Sequence, residues 1–169
     1  MSKQTLVDTP DTHTVDHTAN ADLQTRTRAC TRRLWQSGIA NGVVKPGMIA
    51  FGVGPYLCFL RLKAAGHYAI EHTMWRATNE IEYSHAINAA KIVEQSVTNA
   101  KITIEKLVFW NVTATVEFDD TTQDAFIAKF HDHFNALRRV ITAFGKIMRA
   151  TLPCPPKYPL PITTEENTD

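Results

Sequence analysis

Seven basic side chains in the first half of the chain could bind phosphate groups. Residues 23–70 contain no aspartate or glutamate, so these side chains give the segment a net charge of +7. A guanidinium group matches phosphate oxygens with paired hydrogen bonds and stays charged at physiological pH. The segment therefore predicts a site for nucleic acid or another polyanion, formed by Arg26, Arg28, Arg32, Arg33, Lys45, Arg61 and Lys63.

The charge of this segment contrasts with that of the rest of the chain. All 169 residues together carry a net charge of only +1, because residues 1–22 and residues 71–169 are each at −3. Trp35 lies two positions after Arg33, and an aromatic ring beside cations can stack on unpaired bases. We therefore expect binding that weakens with salt and that favours single strands.

Four aromatic side chains give a different prediction. A curved sheet that holds a long helix can enclose a ligand pocket, and Trp75, Tyr83, Phe109 and Trp110 lie in segments that could line it. Such a pocket would bind a small molecule or support catalysis. Aromatic residues at these spacings are also typical of an ordinary core, so the polyanion interpretation ranks first.

No pattern in the chain specifies an enzyme or a cofactor. The sequence lacks HExxH, GxSxG, P-loop and kinase motifs, and Gly52-Val53-Gly54 lacks the third glycine of a dinucleotide fingerprint. His131 and His133 would lie about 200° apart around a helix, so they could not hold one ion together. We expect no metal and no cofactor, and a non-enzymatic function ahead of an enzymatic one.

The cysteines indicate a reducing compartment. Cys30, Cys58 and Cys154 are far apart and odd in number, so they suggest no disulfide framework. Cys58 lies in an apolar run, where a buried thiol is expected rather than a nucleophile. The N-terminus has no apolar leader, and the longest apolar run is too short to span a bilayer. These features predict an intracellular protein without a membrane contact.

A long alternating segment and a long apolar helix organise the second half of the chain. From 102 to 118 almost every even position is apolar and most odd positions are polar, which indicates strand with one buried face. The segment is long for one strand, so we expect two strands that join near Glu105-Lys106 or Trp110-Asn111.

The helix that follows carries an apolar seam at spacings of three and four residues. This seam predicts packing on the neighbouring sheet, with contact to another copy as the alternative. It consists of Phe126, Phe130, Phe134, Leu137, Ile141, Phe144 and Met148.

The remaining segments complete an α+β pattern. Asn20 or Asp22 could cap a helix that ends at Ser37, Pro46-Gly47 predicts a turn, and a further helix follows Asn79. Whether residues 56–76 are strand or helix is left open by their periodicity. We expect an antiparallel sheet packed on one face by helices. Residues 67–150 suit a ferredoxin-like arrangement without its last strand.

These predictions divide the chain into three parts. Residues 1–20 are expected to form a disordered polar arm, residues 21–152 a single α+β domain, and residues 153–169 an extended, proline-rich, acidic tail. Such an organisation is typical of a viral coat or nucleoprotein. The leading hypothesis is a homo-oligomeric structural protein that binds nucleic acid or another polyanion, in the cytoplasm or within a virus particle.

Overall fold

The computed structural model describes residues 13–63, 66–97, 99–120 and 125–152, with side chains from residue 19 onward. The acidic tail and residues 1–12 of the predicted arm lie outside these ranges. The described elements follow in this order: α1 (His13–Gln36), β1 (Asn41–Lys45), β2 (Met48–Val53), β3 (Tyr56–Leu62), β4 (His67–Ala77), α2 (Glu80–Ser96), β5 (Ala100–Lys106), β6 (Trp110–Asp119) and α3 (Phe126–Thr151).

The strands form one antiparallel sheet in the order β1-β2-β3-β4-β6-β5. Strands β1 to β4 therefore lie side by side in the order in which they occur in the chain. The α2 helix then carries the chain past the position of β6 to the far edge, and β6 returns between β4 and β5. The predicted α+β class is confirmed, and the order from β4 to α3 matches the ferredoxin-like arrangement expected for residues 67–150.

Alternation along the strands gives the sheet two different faces. Ile49, Leu60, Ile70 and Val116 lie opposite one another on neighbouring strands and are fully buried beneath the helices. The side chains between them point to the other face, which no described helix covers and which carries mainly charged groups and threonines. We call this second surface the open face.

The alternating segment forms two strands, as expected. The turn between them falls at Leu107, Val108 and Phe109, between the two predicted positions, and Lys106 lies opposite Trp110. The alternation of apolar and polar residues did not predict the position of this turn, because apolar residues occupy it. Residues 56–76, which the periodicity left open, belong to the two strands β3 and β4, so the helical alternative for this segment is wrong.

Helix α1 begins at His13, within the segment that the sequence predicted to be a polar arm. The prediction relied on the absence of large apolar side chains to bury. A helix, however, gains one backbone hydrogen bond for each residue added, so it can extend from a packed segment into solvent. In α1 the packed segment holds Cys30 and Leu34, while residues 19–22 are exposed.

The apolar seam of α3 lies in the core of the single chain. Phe130, Phe134, Leu137, Phe144 and Met148 are buried, and Ile141 is half-buried. The ring of Phe51 on β2 meets the Phe130 ring edge to face, with 5.1 Å between the centroids. The seam therefore holds α3 on the sheet.

We expect Phe130→Ala to lower the free energy of unfolding by about 3–5 kcal/mol, because it leaves a cavity among aromatic rings. Urea denaturation followed by circular dichroism measures this change. Ile92→Ala, at a position that is 52% exposed on α2, is the matched control and should cost less than about 1 kcal/mol. Equal losses for the two variants would contradict this packing.

Candidate functional site

Part of the predicted basic region forms an exposed stripe on α1. Arg28, Arg32 and Trp35 are spaced by four and three residues, so they share one side of the helix, and all three are exposed. We call these three residues the α1 stripe. Its position follows from the opposite side of α1, where Cys30 and Leu34 are buried against the sheet.

A buried threonine ties α1 to the first turn of the sheet. The Thr27 hydroxyl donates to the Leu23 carbonyl at 2.6 Å and accepts from the Gly47 backbone N–H at 2.8 Å. Gly47 has a φ of +78° in the turn between β1 and β2, a conformation that glycine adopts without a steric cost. These bonds fix the helix so that the α1 stripe faces outward.

Two further arginines of α1 have contacts within the fold. Arg26 lies 3.7 Å from Asp22, one helical turn away. The Arg33 guanidinium lies 5.9 Å from the centroid of the Phe126 ring, at the start of α3. Arg33 therefore lies between the two helices, rather than with the α1 stripe.

The predicted basic residues of the sheet lie elsewhere. Arg61 and Lys63 belong to the open face or its end, where Arg61 donates to Glu71 and Lys63 donates to Glu117. Lys45 is exposed on the edge strand β1, opposite Met48, and Met48 lines the open face. The structure thus divides the seven predicted residues between two sides of the molecule.

A basic stripe on α3 was missed by the sequence prediction. Arg138, Arg139 and Lys146 line a shallow groove of about 450 Å³ together with Asn135 and Thr142. We call these three basic residues the α3 stripe. It points away from the sheet because the apolar seam occupies the opposite side of the helix. Residues 133–164 contain no acid, and this signal could have identified the stripe.

Cations without a carboxylate partner are concentrated on the helical side. Within the described residues, no salt bridge involves the cations of the α1 stripe or the α3 stripe. Along their full lengths, α1 contains four arginines and two aspartates, and α3 contains five basic residues and one aspartate. By contrast, α2 contains three glutamates and one lysine, so the positive charge belongs to α1 and α3.

The four aromatic residues predicted to line a pocket are only partly brought together. Tyr83 and Trp110 are stacked with 5.1 Å between their centroids. Trp75 lines a separate groove with Thr73, Met74 and Arg76, and Phe109 lies in the turn between β5 and β6. Tyr83 and Trp110 therefore form a stacked pair, Phe109 lies in the adjoining turn, and Trp75 lines a different groove.

The open face holds a smaller groove of about 220 Å³. Its lining includes the paired Arg61 and Glu71, with Thr103, Thr113 and Thr115 on the neighbouring strands. His72 also borders this groove; its Nδ1 donates to the Leu57 carbonyl at 2.8 Å, and burial lowers the pKa of its ring. Among the described residues, no cluster of three or more His, Cys, Asp or Glu side chains could hold a metal ion.

Comparisons with known proteins identify a structural neighbour. No protein-family model matches the chain, and no curated protein matches its sequence. One solved structure, "Crystal structure of YbjN, a putative transcription regulator from E. coli", superposes with a TM-score of 0.58 at 7% identity. The match covers 71% of this chain and 91% of that chain, and at this identity it shows a shared fold alone. No helix among the described residues is both long enough and apolar enough to cross a membrane.

Three buried groups in the core hold protons that are lost at high pH in the unfolded chain: Cys30, Cys58 and Tyr68. Burial raises the pKa of Cys58 to about 12 and also raises the pKa of Cys30. Burial is likewise the main reason why the pKa of Tyr68 rises to about 12, and its hydroxyl is hydrogen-bonded to Cys30. All three groups stay protonated in the folded chain at pH values where the unfolded chain would release the protons.

We therefore expect the free energy of unfolding to fall as pH rises above 9, the usual pKa of the Cys58 thiol. The unfolded chain then binds fewer protons than the folded chain, which costs about 1.4 kcal/mol per pH unit for each group. Urea denaturation at a series of pH values on either side of that pKa measures the slope. Cys58→Ala should have a shallower slope, and identical slopes would contradict the burial of this thiol.

Proposed function

We propose that this protein is a non-enzymatic binding protein that holds a polyanion on its helical side. The α1 stripe and the α3 stripe are the binding surfaces. The observation that carries the proposal is the clustering of exposed cations on the outer sides of α1 and α3. The cations of both stripes have no carboxylate partner among the described residues, whereas Arg61 on β3 and Lys63 just after it are paired with carboxylates.

The spacing of the stripes suits a chain of phosphates. From Arg138 to Lys146 the helix rises about 12 Å, at 1.5 Å for each residue. This length corresponds to roughly three or four phosphates along one strand of a duplex. Guanidinium groups also bind phosphate with paired hydrogen bonds, so arginines at this spacing can contact successive phosphates.

Nucleic acid is the polyanion that we place first. Trp35 is 68% exposed and lies on the same side of α1 as Arg28 and Arg32, so its ring is available to stack on an unpaired base. The structural neighbour YbjN is described as "a putative transcription regulator", and this description supports testing nucleic acid before other polyanions.

We also propose that the protein is a homo-oligomer in a reducing intracellular compartment. A homo-oligomer would bring several copies of each stripe to one strand and increase the avidity. The thiols of Cys30 and Cys58 are buried and unpaired, which suits a reducing intracellular compartment. Light scattering after size exclusion, with absorbance recorded for protein and for nucleic acid, reports both the copy number and any nucleic acid that copurifies.

We expect a fluorescently labelled single-stranded oligonucleotide to bind with an affinity that falls steeply with salt. Replacing Arg138, Arg139 and Lys146 by Gln should weaken binding and reduce the slope of log K against log salt by about one for each lost phosphate contact. Arg28→Gln with Arg32→Gln should act in the same direction. Fluorescence anisotropy over a series of salt concentrations measures both quantities.

A variant with the same change of charge provides the control. Lys91, Lys101 and Lys106 are exposed on α2 and β5, away from both stripes, and their replacement by Gln also removes three charges. This control should retain most of the affinity. If it loses as much affinity as the α3 variant, binding follows net charge rather than the stripes. If neither stripe variant loses affinity while both remain folded, the proposal is wrong.

A further inference from the structure

An exposed apolar surface lies at one end of the sheet. Leu107, Val108 and Phe109 occupy the turn between β5 and β6 and are 72%, 86% and 42% exposed. Turns usually carry glycine, proline or short polar side chains, so three consecutive large apolar residues are unusual. Ile81, which is 67% exposed, begins α2 at the same end of the sheet, because β4 ends at Ala77 opposite Trp110.

The stacked aromatic pair belongs to this surface. Tyr83 and Trp110 are half-buried, and the ammonium group of Lys106 lies 4.6 Å from the Trp110 ring centroid. The cation and the stacking fix the two rings in one orientation. We call the whole surface the tip patch, and it consists of Ile81, Tyr83, Leu107, Val108, Phe109 and Trp110.

The direction and length of α3 place the end of the described chain at this same end of the molecule. The Phe126 ring lies 6.0 Å from the Phe118 ring, so α3 begins near the end of β6 and runs back along it. The 26 residues of α3 rise about 39 Å. The 10 residues of β6 rise about 34 Å, so Leu152 comes level with the start of β6.

The segment after Leu152 has a sequence suited to an aromatic surface. Pro153, Pro156 and Pro159 recur at every third residue. A polyproline II helix has three residues per turn, so these prolines would share one edge. Aromatic-lined grooves recognise proline-rich segments in this conformation, at a low cost in conformational entropy.

We propose that residues 153–161 dock on the tip patch of the same chain, with Pro153, Pro156 and Pro159 against the aromatic rings. Nine residues in this conformation reach about 28 Å, which suffices to cross the patch from Leu152. A short tether also gives the segment an effective concentration in the millimolar range. A contact that would be weak between separate molecules can therefore be occupied within one chain.

Paramagnetic relaxation in the full-length protein tests the docking. The thiols of Cys30 and Cys58 are buried, so a nitroxide reagent can be directed to Cys154, which in the proposed conformation would share no edge with the three prolines. We expect strong broadening of the backbone amides of residues 107–110 and of the Trp110 indole. Replacing Pro153, Pro156 and Pro159 by Ala should weaken this broadening strongly, whereas Pro155→Ala with Pro161→Ala should retain it.

Other occupants of the patch would give different results. In a mixture of ¹⁵N-labelled unmodified chain with unlabelled spin-labelled chain, broadening at the tip patch would identify a second copy as the occupant and overturn docking within one chain. Absence of broadening in both samples would also overturn the proposal. The variant Val108→Asp changes an exposed residue and need not disturb the core. Loss of broadening in this folded variant would support the tip patch as the docking surface. Unchanged broadening would contradict it.

Discussion

Burial of the α3 seam against one face of the sheet determines which groups remain for binding. The helical repeat directs Phe130, Leu137 and Phe144 inward, so Arg138, Arg139 and Lys146 must lie on the outside. The same constraint acts on α1, where burial of Cys30 and Leu34 directs Arg28 and Arg32 to solvent. The basic surfaces are thus a consequence of packing, since each helix has only one side to bury.

Ion pairing makes the two sides of the sheet electrically different. On the open face, Arg61 on β3 pairs with Glu71 on the neighbouring β4, and Lys63 just after β3 pairs with Glu117 on β6, so each of these cations has a carboxylate beside it. On the helical side, α1 and α3 bring nine basic residues and three aspartates, and the excess positive charge remains available to a ligand. The acid-free segment 23–70 therefore does not act as a single basic surface, because the fold sends its charges to both sides.

Periodicity predicted the elements that span a single stretch of chain, and it failed where the outcome depends on distant residues. The seam of α3 and the strands around Val112 were predictable because repeats of 3.6 and 2 residues reflect burial directly. The pairing of Lys63 with Glu117 was not predictable, because the two residues are 54 positions apart and meet only through the strand order. The α3 stripe was missed because the apolar seam dominates the pattern of this helix, although the sequence that follows Asp132 lacks acids as far as residue 164.

The most direct test of the polyanion account is a titration of the ¹⁵N-labelled protein with a single-stranded oligonucleotide at low salt, followed by amide and indole chemical shifts. The account predicts shifts at Arg138, Arg139 and Lys146 and at the indole of Trp35, with little change on the open face. Shifts that centre on Thr103, Thr113 and Thr115 of the open face, or no shifts at all, would contradict it.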